Sequence, residues 1–309
     1  MKKLIFFFVM ALTMLCASCY SEDSVGVPTT SATEIAVKTD SLASLQAKIA
    51  ELNGQMQVQS PTTRGWLKRF LHRALADAVG ALFGNLYGGL AGAVVGAASF
   101  SALACAVEVV NNEPNNANKS EESVKLDDKI AHCDLDEDLV PTDENCDESP
   151  IDSIGLYHNK VLIDVAVDEE NEMSVSEYPN ALLNAVRNNY PNLGEISSCD
   201  SVRIVTASSE FLEFEKEYKG GKDIDSYAEY IESKYPSKKG EIEILKEFFN
   251  GLPYAEASDM TSEYMNKVLK MIDDASLSAD VKQNLRNGVI VGNASNRLWK
   301  LEDGAIVEE

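Results

Sequence analysis

The sequence predicts a mainly α-helical protein, in which a glycine-zipper helix or helical hairpin is joined by an acidic linker to a small all-α domain. Three observations support this fold class. Residues 78–107 contain no charged side chain and carry glycines at a strict four-residue spacing. Residues 111–150 are polar and acidic, and apolar residues in 151–309 recur every three or four positions, as on one face of a helix. The zipper glycines are Gly80, Gly84, Gly88, Gly92 and Gly96.

The charge of the chain is unevenly distributed. Its 309 residues carry a net charge of −23, and residues 111–309 hold 19 basic and 43 acidic side chains. This balance favours solubility and argues against a general nucleic-acid binder. The length suffices for about two domains.

The first 18 residues have the pattern of an export signal. Lys2 and Lys3 form a basic start, and the apolar run that follows, residues 4–15, is too short for a membrane span. Ala17 and Ser18 then precede Cys19, an ending that resembles the lipobox of bacterial lipoproteins. The pattern predicts a signal peptide over 1–18 with Cys19 as the lipidated residue. Ordinary signal-peptidase cleavage nearby is the alternative.

Residues 19–40 are rich in Ser and Thr and predict a flexible tether. Residues 41–59 predict a short amphipathic helix, because apolar residues recur there at alternating spacings of three and four. The helix could pack on its own chain or on a second copy. Its apolar positions are Leu42, Leu45, Ile49, Leu52 and Met56.

Residues 60–110 combine a basic, aromatic stretch with the glycine zipper. Cationic residues mixed with Trp and Phe suit a membrane interface, where rings lie among the headgroups. The alternative is a solvated, positively charged start of a helix. The predicted interface residues are Arg64, Trp66, Lys68, Arg69, Phe70 and Arg73.

The five glycines lie nearly above one another on a helix and form a groove that a second backbone can approach closely. Three arrangements fit this pattern. The segment could be one long self-associating helix, a hairpin broken near Gly88-Gly89 with arms of about 66–87 and 90–110, or a buried helix of a soluble domain.

Residues 111–150 predict an acidic, disordered linker. Cys133 and Cys146 bracket a polar loop and are the preferred disulfide pair if the chain meets an oxidising compartment. Asp134 begins an acidic run, but an EF-hand loop would need Gly and Glu where the chain has Leu139 and Asn145. We therefore predict no metal site.

Residues 151–309 predict an acidic helical domain. A helix is expected to start at Ser153, although the alternation of residues 161–167 leaves a strand open. Ser226 and Glu229 form the pattern of a capping box. Another helix is predicted to end at Asn250-Gly251, before Pro253, and Ser278 is expected to cap the last helix.

The acidic residues Glu22 and Asp23 after Cys19, together with the stretches DSIGLYHNKV (residues 152–161) and NASNRLWK (residues 293–300), resemble exported Bacteroidetes lipoproteins of uncharacterised function. The resemblance covers the general layout. It implies an outer-membrane lipoprotein at the cell surface, with a periplasmic or secreted protein as the alternative, and it implies no catalytic residues.

The sequence carries no nucleophile elbow, phosphate-binding loop or metal pair, so we predict no enzyme and no cofactor. The first hypothesis is membrane association or helix–helix assembly through the zipper, with bacteriocin-like perturbation of membranes. Membrane lipid and a second copy of the chain are its predicted partners. The second hypothesis is a soluble exported interaction module with an internal zipper hairpin and an unknown protein partner. An unrecognised hydrolase with carboxylates around His158 is the third.

Overall fold

The structure, a computed structural model, describes residues 32–59, 71–112, 153–166, 177–218 and 223–302, and the side chains of most of them. These residues form nine α-helices and two short 3₁₀ turns, and no strand occurs among them. The predicted mainly α fold is therefore confirmed. The helices are α1 (Ala32–Gln59), α2 (Leu71–Asn112), α3 (Ile154–Ala166), α4 (Tyr178–Asn189), α5 (Ser198–Glu217), α6 (Ile224–Lys234), α7 (Lys239–Ala257), α8 (Thr261–Asp274) and α9 (Ala279–Glu302).

Helix α2 is a hairpin of two helices. Its helical backbone breaks at Gly88 (φ −139°, ψ 21°) and Gly89 (φ 58°, ψ −141°). The second pair of angles is open only to glycine without strain. We call residues 71–87 arm A, residues 90–112 arm B, and residues 85–90 the tip. Of the three arrangements that the sequence allowed, the structure has the hairpin, and this hairpin lies inside the helical body.

The hairpin forms the centre of the core. Helices α3, α4, α5 and α9 pack along it, and α6 and α7 also contact it. Most side chains of residues 74–100 are buried, apart from those of the tip. One helical stretch of the described residues, Leu71–Phe100, is long and apolar enough to cross a membrane, and 67% of its most apolar window is buried inside the body.

Helix α1 packs on α7 through its apolar seam, whose five predicted residues are all buried. The seam is thus used within the chain. The helix begins at Ala32, so residues 32–40, for which the sequence predicts part of the tether, are helical.

The contacts between helices define two ends of the body. Gly240 faces Leu42, and Gly251 faces Asn53, so α1 and α7 run in the same direction. Tyr235, just before α7, lies with its ring centroid 4.5 Å from that of Phe83, close to the tip. The tip, the start of α7 and Leu42 therefore share one end, which we call the tip end.

Helix α9 runs antiparallel to arm A. Its residue Asn284 is bonded to Asn85 near the tip, and its residue Ser295 is bonded to Asp77. The last turns of α9 therefore lie at the opposite end of the body, the far end, together with the beginning of arm A.

The structure settles one open alternative and contradicts two local predictions. Residues 161–166 continue the helix expected to start at Ser153 and do not form the strand that their alternation left open. Helix α6 is capped by Asp223, whose carboxylate accepts a hydrogen bond from the backbone N–H of Ser226, so the proposed capping box at Ser226 and Glu229 does not start the helix. Helix α7 continues through Pro253 to Ala257. A proline removes one backbone donor, and burial of the helix on several neighbours outweighs that loss.

The structure agrees with the prediction for the last helix. The backbone N–H of Val281 donates to the Ser278 hydroxyl at 3.4 Å, and α9 begins at the next residue, Ala279. The signal peptide, Cys19, Cys133 and Cys146 lie outside the described residues, as do residues 113–150 of the linker.

Candidate functional site

The zipper glycines face each other across the hairpin. A Cβ added to Gly80 would lie 2.5 Å from the carbonyl oxygen of Gly96, and one added to Gly84 would lie 2.6 Å from the carbonyl carbon of Gly92. Real Cβ atoms do not approach backbone atoms so closely. The two arms thus touch backbone to backbone, and the groove of each arm is filled by the other arm of the same chain.

Gly88 is the exception among the five glycines. It lies in the turn, and the position of its absent Cβ faces Ile196 and Ile204 at 3.3–3.4 Å. The chain thus uses four of the predicted groove glycines for the arm–arm contact and the fifth for the turn.

A buried polar cluster holds arm A to α3 and α9. Asp77 has no exposed surface, and its Oδ2 atom accepts hydrogen bonds from the hydroxyl of Ser295 and, at 3.3 Å, from the indole Nε1 of Trp299. The Nε2 atom of His158 lies 3.6 Å from the same oxygen. Donors converge on the Asp77 carboxylate, as the burial of an acidic group requires.

The His158 ring is fully buried beside Asn159. The side-chain nitrogen of Asn159 donates to the carbonyl of Ala294 at 3.3 Å, and the Asn159 oxygen lies 3.0 Å from Nδ1 of His158. Burial lowers the pKa of His158 to about 4, against a smaller opposing effect of the Asn159 hydrogen bond. The ring is therefore neutral at neutral pH and lies beside the Asp77 carboxylate without forming an ion pair with it.

Asp77, His158 and Ser295 have the composition of a catalytic triad but not its geometry. In a triad the base contacts the nucleophile, whereas here the Ser295 hydroxyl is bonded to the acid. All three side chains are also inaccessible to solvent. The cluster is suited to joining three helices and not to nucleophilic attack on a substrate.

Sequence patterns alone did not predict this buried polar cluster. Asp77 is the one charged residue in positions 74–107, and an isolated acid in an apolar helix is a sign that partners exist elsewhere in the chain. Its partner Ser295 is 218 positions away, and no local pattern connects the two.

Arg73 is the one predicted interface residue that the structure describes. Its guanidinium carbon lies 4.9 Å from the centroid of the Trp299 ring, at the far end of the body. A cation over an indole face is a favourable contact, so Arg73 takes part in internal packing. The other predicted interface residues lie outside the described residues.

A second buried acid lies between α5 and α6. The Tyr227 hydroxyl donates a hydrogen bond to the Glu215 carboxylate at 2.5 Å. Burial raises the pKa of Glu215 to about 7, and the Tyr227 hydrogen bond offsets part of this effect. The group can thus change its protonation state near neutral pH.

The tip is the exposed part of the hairpin. Leu86 is 42% exposed and Gly89 is exposed, whereas Tyr87, Gly88 and Leu90 are partly buried. The tip contains no charged residue, and its Asn85 is bonded to two asparagines of α9. Among the described residues the other exposed large apolar side chains are Val58 and Val202.

A cavity of about 370 Å³ lies between α1, α6 and α7, towards the far end. Its carboxylates include Asp223, Asp225 and Glu247. Asp223 caps α6, Lys246 lies 3.9 Å from Asp225, and the side chain of Asn53 lies 3.4 Å from a Glu247 oxygen. These carboxylates therefore already have partners within the fold.

No cluster of three or more potential metal ligands occurs in the described parts of the chain. Cys199, the one cysteine whose side chain is described, is a free and partly buried thiol.

No family model matches this chain, and neither a curated protein nor a solved structure matches it.

Proposed function

We propose that the protein is an exported, lipid-anchored interaction module whose glycine zipper joins two helices of the same chain. The backbone contact between Gly84 and Gly92 carries this proposal, because it leaves no groove for a second molecule. In this proposal Cys19 carries the lipid and holds the body at the outer membrane, facing outward. The excess of acidic residues in positions 111–309 attracts a cationic protein partner.

The proposal has a direct consequence for self-association. A dimer formed through the zipper would require the two arms to separate, with loss of the contacts at Gly80, Gly84, Gly92 and Gly96. We therefore expect a chain without its lipid to stay monomeric over a wide range of protein concentration.

The test is analytical ultracentrifugation of the chain from residue 19 onward with Cys19→Ala, beside the same chain with Gly84→Leu. A monomer whose fold is disrupted by Gly84→Leu agrees with an internal zipper. A dimer that Gly84→Leu converts to a folded monomer would show that the groove binds a second copy. Incorporation of labelled palmitate in cells, lost in Cys19→Ala, tests the lipid anchor separately.

Perturbation of membranes is a second candidate, favoured by the stretch of the hairpin without charged side chains, residues 78–107. Arm B, of 23 residues, is about 34 Å long at 1.5 Å per residue, enough for a bilayer core of about 30 Å. Insertion would first have to break the bonds that Asp77 makes with Ser295 and Trp299.

Release of a trapped dye from phosphatidylcholine vesicles tests this candidate. Asp77→Ala removes the acceptor that anchors arm A, so dye release should be faster than with the parent chain. Absence of release with both proteins would eliminate membrane perturbation.

A further inference from the structure

We infer that the tip of the hairpin is a lipid-contacting surface. The lipid anchor holds the folded protein at a bilayer, and the tip contacts that same bilayer. The inference rests on the proposed lipid anchor at Cys19 for the orientation of the body. It differs from membrane perturbation because the hairpin stays packed in the core and only its turn meets lipid.

The composition of the tip suits contact with a bilayer. Its residues are Asn85, Leu86, Tyr87, Gly88, Gly89 and Leu90, with an exposed leucine and a partly buried tyrosine. Tyrosine is favoured at the level of the lipid headgroups, where its ring is partly buried and its hydroxyl is hydrated. Asn85 is already bonded to α9, so its amide does not have to lose water when the tip is covered.

Two of the three exposed large apolar side chains among the described residues lie at the tip end. Of these, Leu86 belongs to the tip. Val202, 49% exposed, is two positions from Ile204, whose side chain faces Gly88. Val58, 83% exposed, is near the end of α1 and hence at the far end.

The course of α1 brings the anchor to the same end. Leu42 lies at the tip end, and α1 extends from there a further ten residues back to Ala32, away from the far end. Cys19 precedes Ala32 by 13 positions, which span at most about 45 Å. A lipid on Cys19 is therefore attached to the body from the tip end, and a bilayer that faces the tip is within its reach.

Charge selects the kind of membrane. The chain carries a net charge of −23, which opposes approach to anionic lipid. The tip itself is uncharged. Contact through the tip should thus be stronger on zwitterionic phosphatidylcholine than on anionic vesicles, and added salt should reduce the difference. Binding through the basic stretch around Arg64 and Arg73 would show the opposite preference.

The experiment measures quenching of tryptophan fluorescence by brominated phosphatidylcholine in reconstituted vesicles. Tyr87→Trp places a reporter in the tip, and Val58→Trp places a matched reporter at the far end. The parent chain supplies the background from Trp66 and Trp299. Each protein is measured with its lipid anchor and also as the Cys19→Ala chain at high lipid concentration.

We expect several-fold greater quenching of the added tryptophan in Tyr87→Trp than in Val58→Trp, largest in the lipid-anchored protein. Leu86→Asp, added to Tyr87→Trp, should reduce the quenching several-fold, whereas Val58→Asp should not. Circular dichroism of each variant checks that the helical fold is retained.

Equal quenching at the two positions, or greater quenching at position 58, would overturn the inference. Labelling with palmitate separates this failure from failure of the anchor. If the protein is labelled but the tryptophan at the tip is not quenched, the lipid anchor is supported and the lipid contact of the tip is refuted. If the protein is not labelled but the tryptophan at the tip of the Cys19→Ala chain is still quenched, the lipid anchor is refuted and the lipid contact of the tip is supported.

Discussion

The closest approach of the two arms predicts that a single methyl group at Gly84 is destabilising. A Cβ there would lie 2.6 Å from the carbonyl carbon of Gly92 and closer still to its carbonyl oxygen, whereas ordinary contact begins at 3.4 Å, so the arms would have to separate by more than an ångström. The obstacle is backbone and cannot rotate away. We therefore expect an overpacking cost of about 3 kcal/mol, offset by about 1 kcal/mol from the better helix propensity of alanine.

The net loss for Gly84→Ala is thus about 2 kcal/mol, which corresponds to a fall in Tm of about 4–8 °C for a protein of this size. Gly54→Ala is the matched control, because Gly54 also lies inside a helix but has nothing within 4 Å of its absent Cβ. It should gain about 1 kcal/mol from propensity alone.

Urea and thermal unfolding followed by circular dichroism compare the two variants in the chain with Cys19→Ala. If Gly84→Ala is as stable as the parent or more stable, the arms do not touch as the structure has them. The reasoning from backbone contact would then be refuted.

Three further predictions concern the turn and the two buried titratable groups. Gly89→Ala should cost about 1–3 kcal/mol of unfolding free energy in urea despite open space around it, because its φ of 58° with ψ of −141° is strained for alanine. Folded His158 stays neutral down to about pH 4, whereas an unfolded histidine binds a proton at about pH 6.5. This group therefore lowers the free energy of unfolding by about 3 kcal/mol as pH falls from 6.5 to 4. Thermal melts of Glu215→Gln over this pH range should show that loss without the contribution of Glu215. The pKa of Glu215 is raised from 4.5 to about 7, so this group lowers the free energy of unfolding by a similar amount as pH rises through this interval. In His158→Asn, the remaining dependence of stability on pH should be the one due to Glu215. A stability that does not change with pH in either variant would contradict the corresponding pKa.

Local features of the sequence were sufficient for much of the fold. The adjacent Gly88 and Gly89 mark the break in α2, because a helix with two central glycines is weak and the second adopts angles that other residues avoid. The seam of α1 and the cap at Ser278 also follow from short patterns.

Other features depend on residues that are distant in the sequence and could not be predicted from short sequence patterns. The partner of the zipper could equally have been lipid, a second copy or the other arm, since the groove looks the same in each case. Pro253 indicates the end of a helix, and the packing of α7 on its several neighbouring helices keeps the helix intact. Asp223 and Ser226 are both good caps, and the choice between them depends on where the chain enters α6.

The bonds between Asp77 and α9 also set an order of events in folding. The two arms of the hairpin are close in sequence and can meet early, since short loops close quickly. Ser295 follows Asp77 by 218 residues, and at about 5–20 residues per second a ribosome needs roughly 10–40 s to make that length. During that interval the nascent hairpin lacks α9, so the apolar faces that α9 would cover can contact other chains. A holding chaperone is thus most needed before the last helix has been synthesised.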